Sequence, residues 1–136
     1  MNSHSIAIQL VKQKLLESSS VTDVVGANIF TSHFMDYDTA NVNMPCVIIE
    51  ATGGESNYGK ATQRLNVDIY AYSKLGNSQA ESLYDLVYEA LQGANLGNSE
   101  TSQGGYIYER YRPFGAMNEF VKAWFRRGTY VVHTAG

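Results

Sequence analysis

The chain has 136 residues, 44% of them hydrophobic, with two prolines and a net charge of −3, and its pI is about 5.5. These values indicate one folded domain over residues 1–136 and exclude a basic field able to hold nucleic acid by net charge. The single Cys46 excludes an intrachain disulfide and a cysteine-based zinc cage.

The first residues, "MNSHSIAIQLVKQKLL", have no basic region followed by an apolar run and a cleavage site. No stretch approaches the roughly 20 apolar residues of a membrane span. The chain is expected to be soluble and made in the cytoplasm.

Ile8, Val11 and Leu15 recur at helical spacing and predict a first helix from about Ser5 to Glu17, with Leu16 at one edge of its core stripe. Ile6 and Leu10 fall on nearly the opposite side, leaving a second apolar strip that a monomer has little reason to keep. "SSSVTDVVG" reads as a capped single turn, with Ser20 or Thr22 as N-cap and Gly26 as the stop. "NIFTSHF" (Asn28–Phe34) is the first strand, and the polar "MDYDTANVNM" leads on towards Pro45. "CVIIEAT" is apolar enough to be a central strand, where Cys46 is a small buried residue rather than a catalytic thiol.

"GGESNYGKA" (Gly53–Ala61) has three glycines and no periodicity, the mark of a long hairpin loop. It ends in Gly-Lys, but Ala61 stands where a phosphate-binding loop needs Ser or Thr. "QRLNVDIYAYS" (Gln63–Ser73) is the clearest strand: Leu65, Val67, Ile69 and Ala71 make one face, and Arg64, Asn66, Asp68, Tyr70 and Tyr72 make the other. A second helix follows. Ser78 and Glu81 form a capping box, Ala80, Leu83, Val87, Ala90 and Leu91 hold one stripe, and Gly93 supplies the stop. Glu81, Asp85, Glu89 and Gln92 occupy its opposite face.

"ANLGNSETSQGG" (Ala94–Gly105) is polar and has no pattern of its own. "YIYERYRPF" is a fourth strand and "VKAWFRRGTYVVHT" a fifth, with Arg126-Arg127-Gly128 breaking the alternation as a bulge would. The predicted fold is α+β: a small, mainly antiparallel sheet with two helices packed on one face.

The chain offers little for chemistry. His4, His33 and His133 are scattered without metal-ligand spacing, and no nucleophile motif is present. Glu50 and Asp68 lie on neighbouring strands and face one another, yet Arg64 and Asn66 beside them point to a solvated or salt-bridged face. Arg110, Arg112, Lys122, Arg126 and Arg127 suggest a local basic patch, interrupted by Glu109 and Glu119. Neither a cofactor nor a metal is expected. Ten tyrosines suit both strands and protein interfaces. The reading is a binding surface without a chemical site.

The succession "VTDVVGANIF", "MPCVIIEATGG", "QRLNVDIYAYS" and "NSQAESLYDLVYEALQG" resembles the tail-terminator, or tail-completion, proteins of long-tailed bacteriophages, including the tail-to-head joining proteins of siphophages. The resemblance spans roughly residues 6–93. The last strand, with "RRG" and Trp124, has no counterpart in it. It implies a structural virion protein and no enzyme: a homohexameric ring on the head-proximal end of the tail tube that ends tube polymerisation and joins tail to head. Its partners are then the tail tube protein and a neck or head-completion protein, with DNA passing through the ring without specific binding.

On that reading the face of Arg64, Asn66, Asp68, Tyr70 and Tyr72 is exposed in the monomer. Together with Ile6 and Leu10 it supplies subunit contacts or lines the ring. Glu55, Asn57, Tyr58, Lys60, Glu100 and Gln103 are loop positions for tube or neck contact. Three readings compete with it: another ring-forming neck protein (head closure or adaptor), a cytoplasmic module binding a ligand or peptide on the tyrosine face, and a hydrolase built on Glu50 and Asp68.

Overall fold

A computed structural model of the chain describes residues 3–31, 44–56, 62–94, 96, 105–119 and 122–135. Its elements are α1 (Ser3–Leu16), α2 (Ser19–Val25), β1 (Ile29–Phe30), β2 (Cys46–Ser56), β3 (Thr62–Ser73), α3 (Asn77–Leu91), β4 (Gly105–Asn118) and β5 (Ala123–Ala135). The five strands form one sheet in the order β1-β2-β3-β5-β4. β1 runs parallel to β2, and the other neighbours are antiparallel. The α+β architecture is as predicted, with helices on one face.

The alternation of β3 sets the two faces. Leu65, Val67, Ile69 and Ala71 join Val47 and Ile49 of β2, Tyr130 and Val132 of β5 and Ile107 of β4 beneath the three helices. The helices contribute Ala7, Leu10, Val11 and Leu15 from α1, Val21 and Val25 from α2, and Leu83, Tyr84, Val87 and Leu91 from α3. Burying a Val, Leu or Ile side chain is worth about 1.5–3 kcal/mol, so this cluster is the main stabilising layer.

Several local expectations are corrected. Leu10 is only 8% exposed and belongs to the main core, so it is not part of an outward strip on α1. That helix touches both the sheet and α3, which widens its buried stripe, while Ile8 is only partly buried. Ile6 lies in α1, but its side chain is outside the described residues. "SSSVTDVVG" forms a seven-residue helix whose N-cap is Ser18; the Thr22 hydroxyl donates to the Ser18 carbonyl. Gly26, at φ 60, ends it as read. The first strand is two residues long, and residues 32–43 are outside the description.

The β2–β3 loop is shorter than the glycines suggested. Gly53 to Ser56 continue the ladder, with a register shift between Ala51 and Gly53, because a bulge accepts glycine where a regular strand gains little from it. Asn57, Tyr58 and Lys60 of the proposed contact loop lie outside the described residues, as do Glu100 and Gln103. Glu55 pairs with Arg64 in the ladder. The capping box does not form. The N-cap of α3 is Gly76, which places Ser78 inside the first turn. The junction is held instead by buried Ser73, whose hydroxyl donates to Gln79 Oε1 and accepts the Leu75 amide at 3.0 Å. Gly93, at φ 69, stops the helix as expected.

Arg126-Arg127-Gly128 is not a bulge. These residues pair in unbroken register with Ala71, Tyr70 and Ile69, and the irregularities lie on the facing β4, between Glu109 and Tyr111 and between Tyr111 and Phe114. Pro113 falls in that stretch of the edge strand, where a missing ladder donor is tolerated. The glycine has another cause. A Cβ at Gly128 would sit 1.8 Å from the Tyr84 hydroxyl, so the side chain of α3 occupies the space a larger residue would fill. Tyr84 then donates to Glu109 of β4 and shares a hydrogen bond with the Tyr130 hydroxyl, 2.9 Å away.

We expect Gly128→Ala to lower stability by about 2–4 kcal/mol through overpacking and the disturbed hydrogen bonds. In urea unfolding, Tyr84→Leu in the same chain should recover part of that loss, since the two costs share one space. A Gly128→Ala protein as stable as wild type would refute this packing.

Candidate interaction surface

The second face of the sheet is divided. At one end Cys46, Ile48, Tyr70, Tyr72 and Ala123 form a second cluster, with Phe30, Met44 and Phe125 packed against it. No helix residue belongs to it. Tyr70 is 9% and Tyr72 1% exposed, which corrects the expectation that both present their rings to solvent. The cause is cross-strand: Tyr70 pairs with Ile48, and Tyr72 with Cys46 and Phe125. The three rings pack together, with centroids 5.9 Å apart for Tyr70–Tyr72 and 5.4 Å for Tyr72–Phe125. Asn118 donates to the Tyr72 hydroxyl at 3.0 Å.

Further along, the same face turns polar. Glu50, Asp68 and Thr129 stand in register on β2, β3 and β5, so the two carboxylates are brought side by side as the sequence suggested. Thr129 Oγ1 donates to Asp68 at 2.7 Å. Tyr70 pairs with Arg127 across the strands and is hydrogen-bonded to it. Glu50, Asn66 and Asp68 are half-buried. The side chain of Arg64 is outside the described residues. One positive and two negative groups therefore share a shallow sheet surface, an arrangement suited to contact.

The five basic residues do not form one patch. Successive strand residues point to opposite faces, so Arg127 lies on the open face while Arg126 turns under the helices and pairs with Glu81 at 3.2 Å. Arg110 and Lys122 are exposed, and the side chain of Arg112 is outside the described residues. Glu81, Tyr84, Asp85 and Arg126 line a polar cleft of about 120 Å³ between α3 and β5. Sequence reading missed it, because the Glu81–Arg126 pair joins residues 45 positions apart. His133 stacks on Tyr108 with centroids 5.7 Å apart. His33 is outside the described residues, and His4 lies in α1. Among the described residues no three of His, Cys, Asp and Glu are grouped to hold a metal, and no helix is long and apolar enough to cross a membrane.

Burial also fixes the protonation of the interior. It pushes the Cys46 thiol up to about 12 and the Tyr72 hydroxyl to about 12. It raises Tyr84 and Tyr130 as well, with the neighbouring hydroxyl and Glu109 adding to the effect on Tyr84. Tyr70 is raised by burial, partly offset by the hydrogen bond to Arg127.

No family model matches the sequence, and a search of curated proteins finds no match. Among solved structures, the chain is similar to one chain of the "Virion of native gene transfer agent (GTA) particle". That match has a TM-score of 0.70 and 15% identity, and covers 100% of both chains. At this identity the likeness establishes a shared fold along the whole length.

Two outcomes follow from the buried groups. At pH 8 a thiol of pKa about 12 is roughly 0.01% thiolate, so a disulfide reagent should label native Cys46 about a thousand-fold slower than an unfolded control. Labelling at the control rate would show an open site. The raised hydroxyls and thiol bind protons more tightly in the folded state. Their stabilisation is fully present below the ordinary values of 9.0 for cysteine and 10.0 for tyrosine, and is lost as pH rises towards about 12. Unfolding midpoints in urea should therefore fall steadily above pH 9, and a flat profile to pH 11 would contradict the burial.

Proposed function

We propose that this protein is a structural component of a phage-like virion, acting as a ring at the head-proximal end of a tail tube. The observation that carries the reading is the fold match to a virion chain over the full length of both chains. The sequence resemblance to tail-terminator proteins over roughly residues 6–93 points the same way. A homohexamer would close on the last ring of the tube, stop its polymerisation and present its other side to a neck or head-completion protein. The role is mechanical and uses no cofactor.

The surface chemistry supports this reading. The polar part of the open sheet face bears Glu50 and Asp68 against Arg127, within a chain of net charge −3. Such a face suits a lumen that lets DNA pass without gripping it. Asn66 and Asp68 are the lumen or subunit-contact residues of the proposal, and Arg64 joins them by its place in the ladder. Tyr70 and Tyr72 act by packing β2, β3 and β5 into a stiff wall. Glu55, Asn57, Tyr58, Lys60, Glu100 and Gln103 remain the proposed contacts to tube and neck. The place of action is the virion neck, after synthesis in the host cytoplasm.

Native mass over a range of protein concentrations, with negative-stain images of the largest species, tests the proposal. Hexameric rings with an open centre are expected, or else a monomer that caps purified tail tube at one end. A closed dimer, or a monomer that leaves tube growth unchanged, would sink it. Asp68→Asn should leave the thermal midpoint within about 5 °C of wild type, since a half-exposed hydrogen bond is worth about 1 kcal/mol and the asparagine carbonyl can still accept from Thr129.

A further inference from the structure

One end of the sheet leaves large apolar side chains in solvent. Ser73, Trp124 and Met117 lie in register across β3, β5 and β4, on the helix-bearing face but at the N-terminal end of α3. Leu75, in the connection from β3 to α3, is 83% exposed, and Trp124 is 36% exposed. Lys74 beside Leu75 and Lys122 before β5 are both exposed. Lys122 has φ 54, a left-handed conformation that glycine or asparagine normally takes and that costs a lysine strain. Among the described residues it is the one non-glycine held this way. Of the carboxylates near this end, Glu119 is exposed and Glu81 is tied to Arg126. The result is an apolar pair, one member the chain's only tryptophan, flanked by two lysines.

A second surface, of opposite charge and made of different residues, lies on the same chain. The outward side of α3 exposes Asp85 and Glu89 one turn apart, with Tyr88 37% exposed between them. α3 itself contains no basic residue, and Arg126, which lines a cleft with Asp85, is tied to Glu81.

We infer that the Leu75–Trp124 end, with Lys74 and Lys122, docks on the Asp85–Tyr88–Glu89 ridge of a second copy of this chain. Pairing the lysine end with itself would set lysine against lysine, as would pairing the acidic ridge with itself for carboxylates, so a two-fold dimer is disfavoured. Lysine end against acidic ridge is a head-to-tail contact, the kind that closes into a ring. Leu75 and Trp124 supply the desolvated centre against Tyr88, and the charges set orientation at the rim. The inference rests on the ring reading and names the contact that builds the ring in solution.

Complementary charge reversal tests it. Lys74→Glu with Lys122→Glu, and separately Asp85→Lys with Glu89→Lys, should each raise the concentration needed for half-assembly by about ten-fold or more, read by sedimentation or native mass. An equimolar mixture of the two variants should restore assembly to within about three-fold of wild type, because each reversed end meets a reversed ridge. Leu75→Ser should weaken assembly with an unchanged thermal midpoint, since the side chain is almost wholly in solvent. Thermal unfolding confirms that each variant is folded.

Variants that assemble like wild type would overturn the contact while leaving the ring reading standing. So would folded variants whose mixture fails to assemble. Variants that form rings but no longer cap purified tube would reassign this end to the tube and overturn the inference. A wild-type chain that stays monomeric at every concentration also overturns it, and the ring reading then depends on capping of the tube.

Discussion

The register of β3 is the constraint on which the molecule depends. This strand is bonded along its length to β2 on one side and β5 on the other, and it is packed on both faces at its C-terminal end. Side chains alternate with a period of two, so a slip of one residue would drive Asp68 and Tyr70 under the helices and expel Val67 and Ile69. Ring packing of Tyr70, Tyr72 and Phe125 locks one face, and the aliphatic layer locks the other. The open face of the sheet takes its arrangement from that register.

Two kinds of order meet at the opposite edge. The β4 strand carries two irregularities and a proline, devices that blunt an exposed edge against indiscriminate strand pairing. Besides Ile107 in the core, it has a polar link to α3: Glu109 receives the Tyr84 hydroxyl, and Tyr84 fits only because Gly128 has no side chain. A helix, a central strand and an edge strand are thus tied at one point. Such a junction keeps the geometry of one sheet edge fixed relative to the other.

Much of the local structure was legible. The stripe of Ala80, Leu83, Val87 and Leu91, the stop at Gly93 and the core face of β3 all follow from period and chemistry within a few residues. Errors cluster where a distant element decides. The Ser78–Glu81 capping box yielded to a junction built on Ser73 and Gln79. Leu10 is buried in the core, on a helix that touches α2 and α3 as well as the sheet. Gly128 resembles a bulge until Tyr84 is seen to occupy its space. Of the surface residues, the Glu50–Asp68 register was readable from two strands, whereas the split of Arg126 from Arg127 required the sheet.

The sequence by itself determined the class of fold, the acidic balance, the inward faces of β3 and α3 and the scarcity of reactive groups. These depend on composition and on the spacing of neighbours along one chain, which local geometry converts directly into faces. Tertiary structure decided which tyrosines are wall and which are surface. It also set Arg126 against Glu81 and left Leu75 and Trp124 in solvent. Those facts are set by strands and helices far apart in sequence, and burial is a property of what lies across the gap, which no single segment encodes.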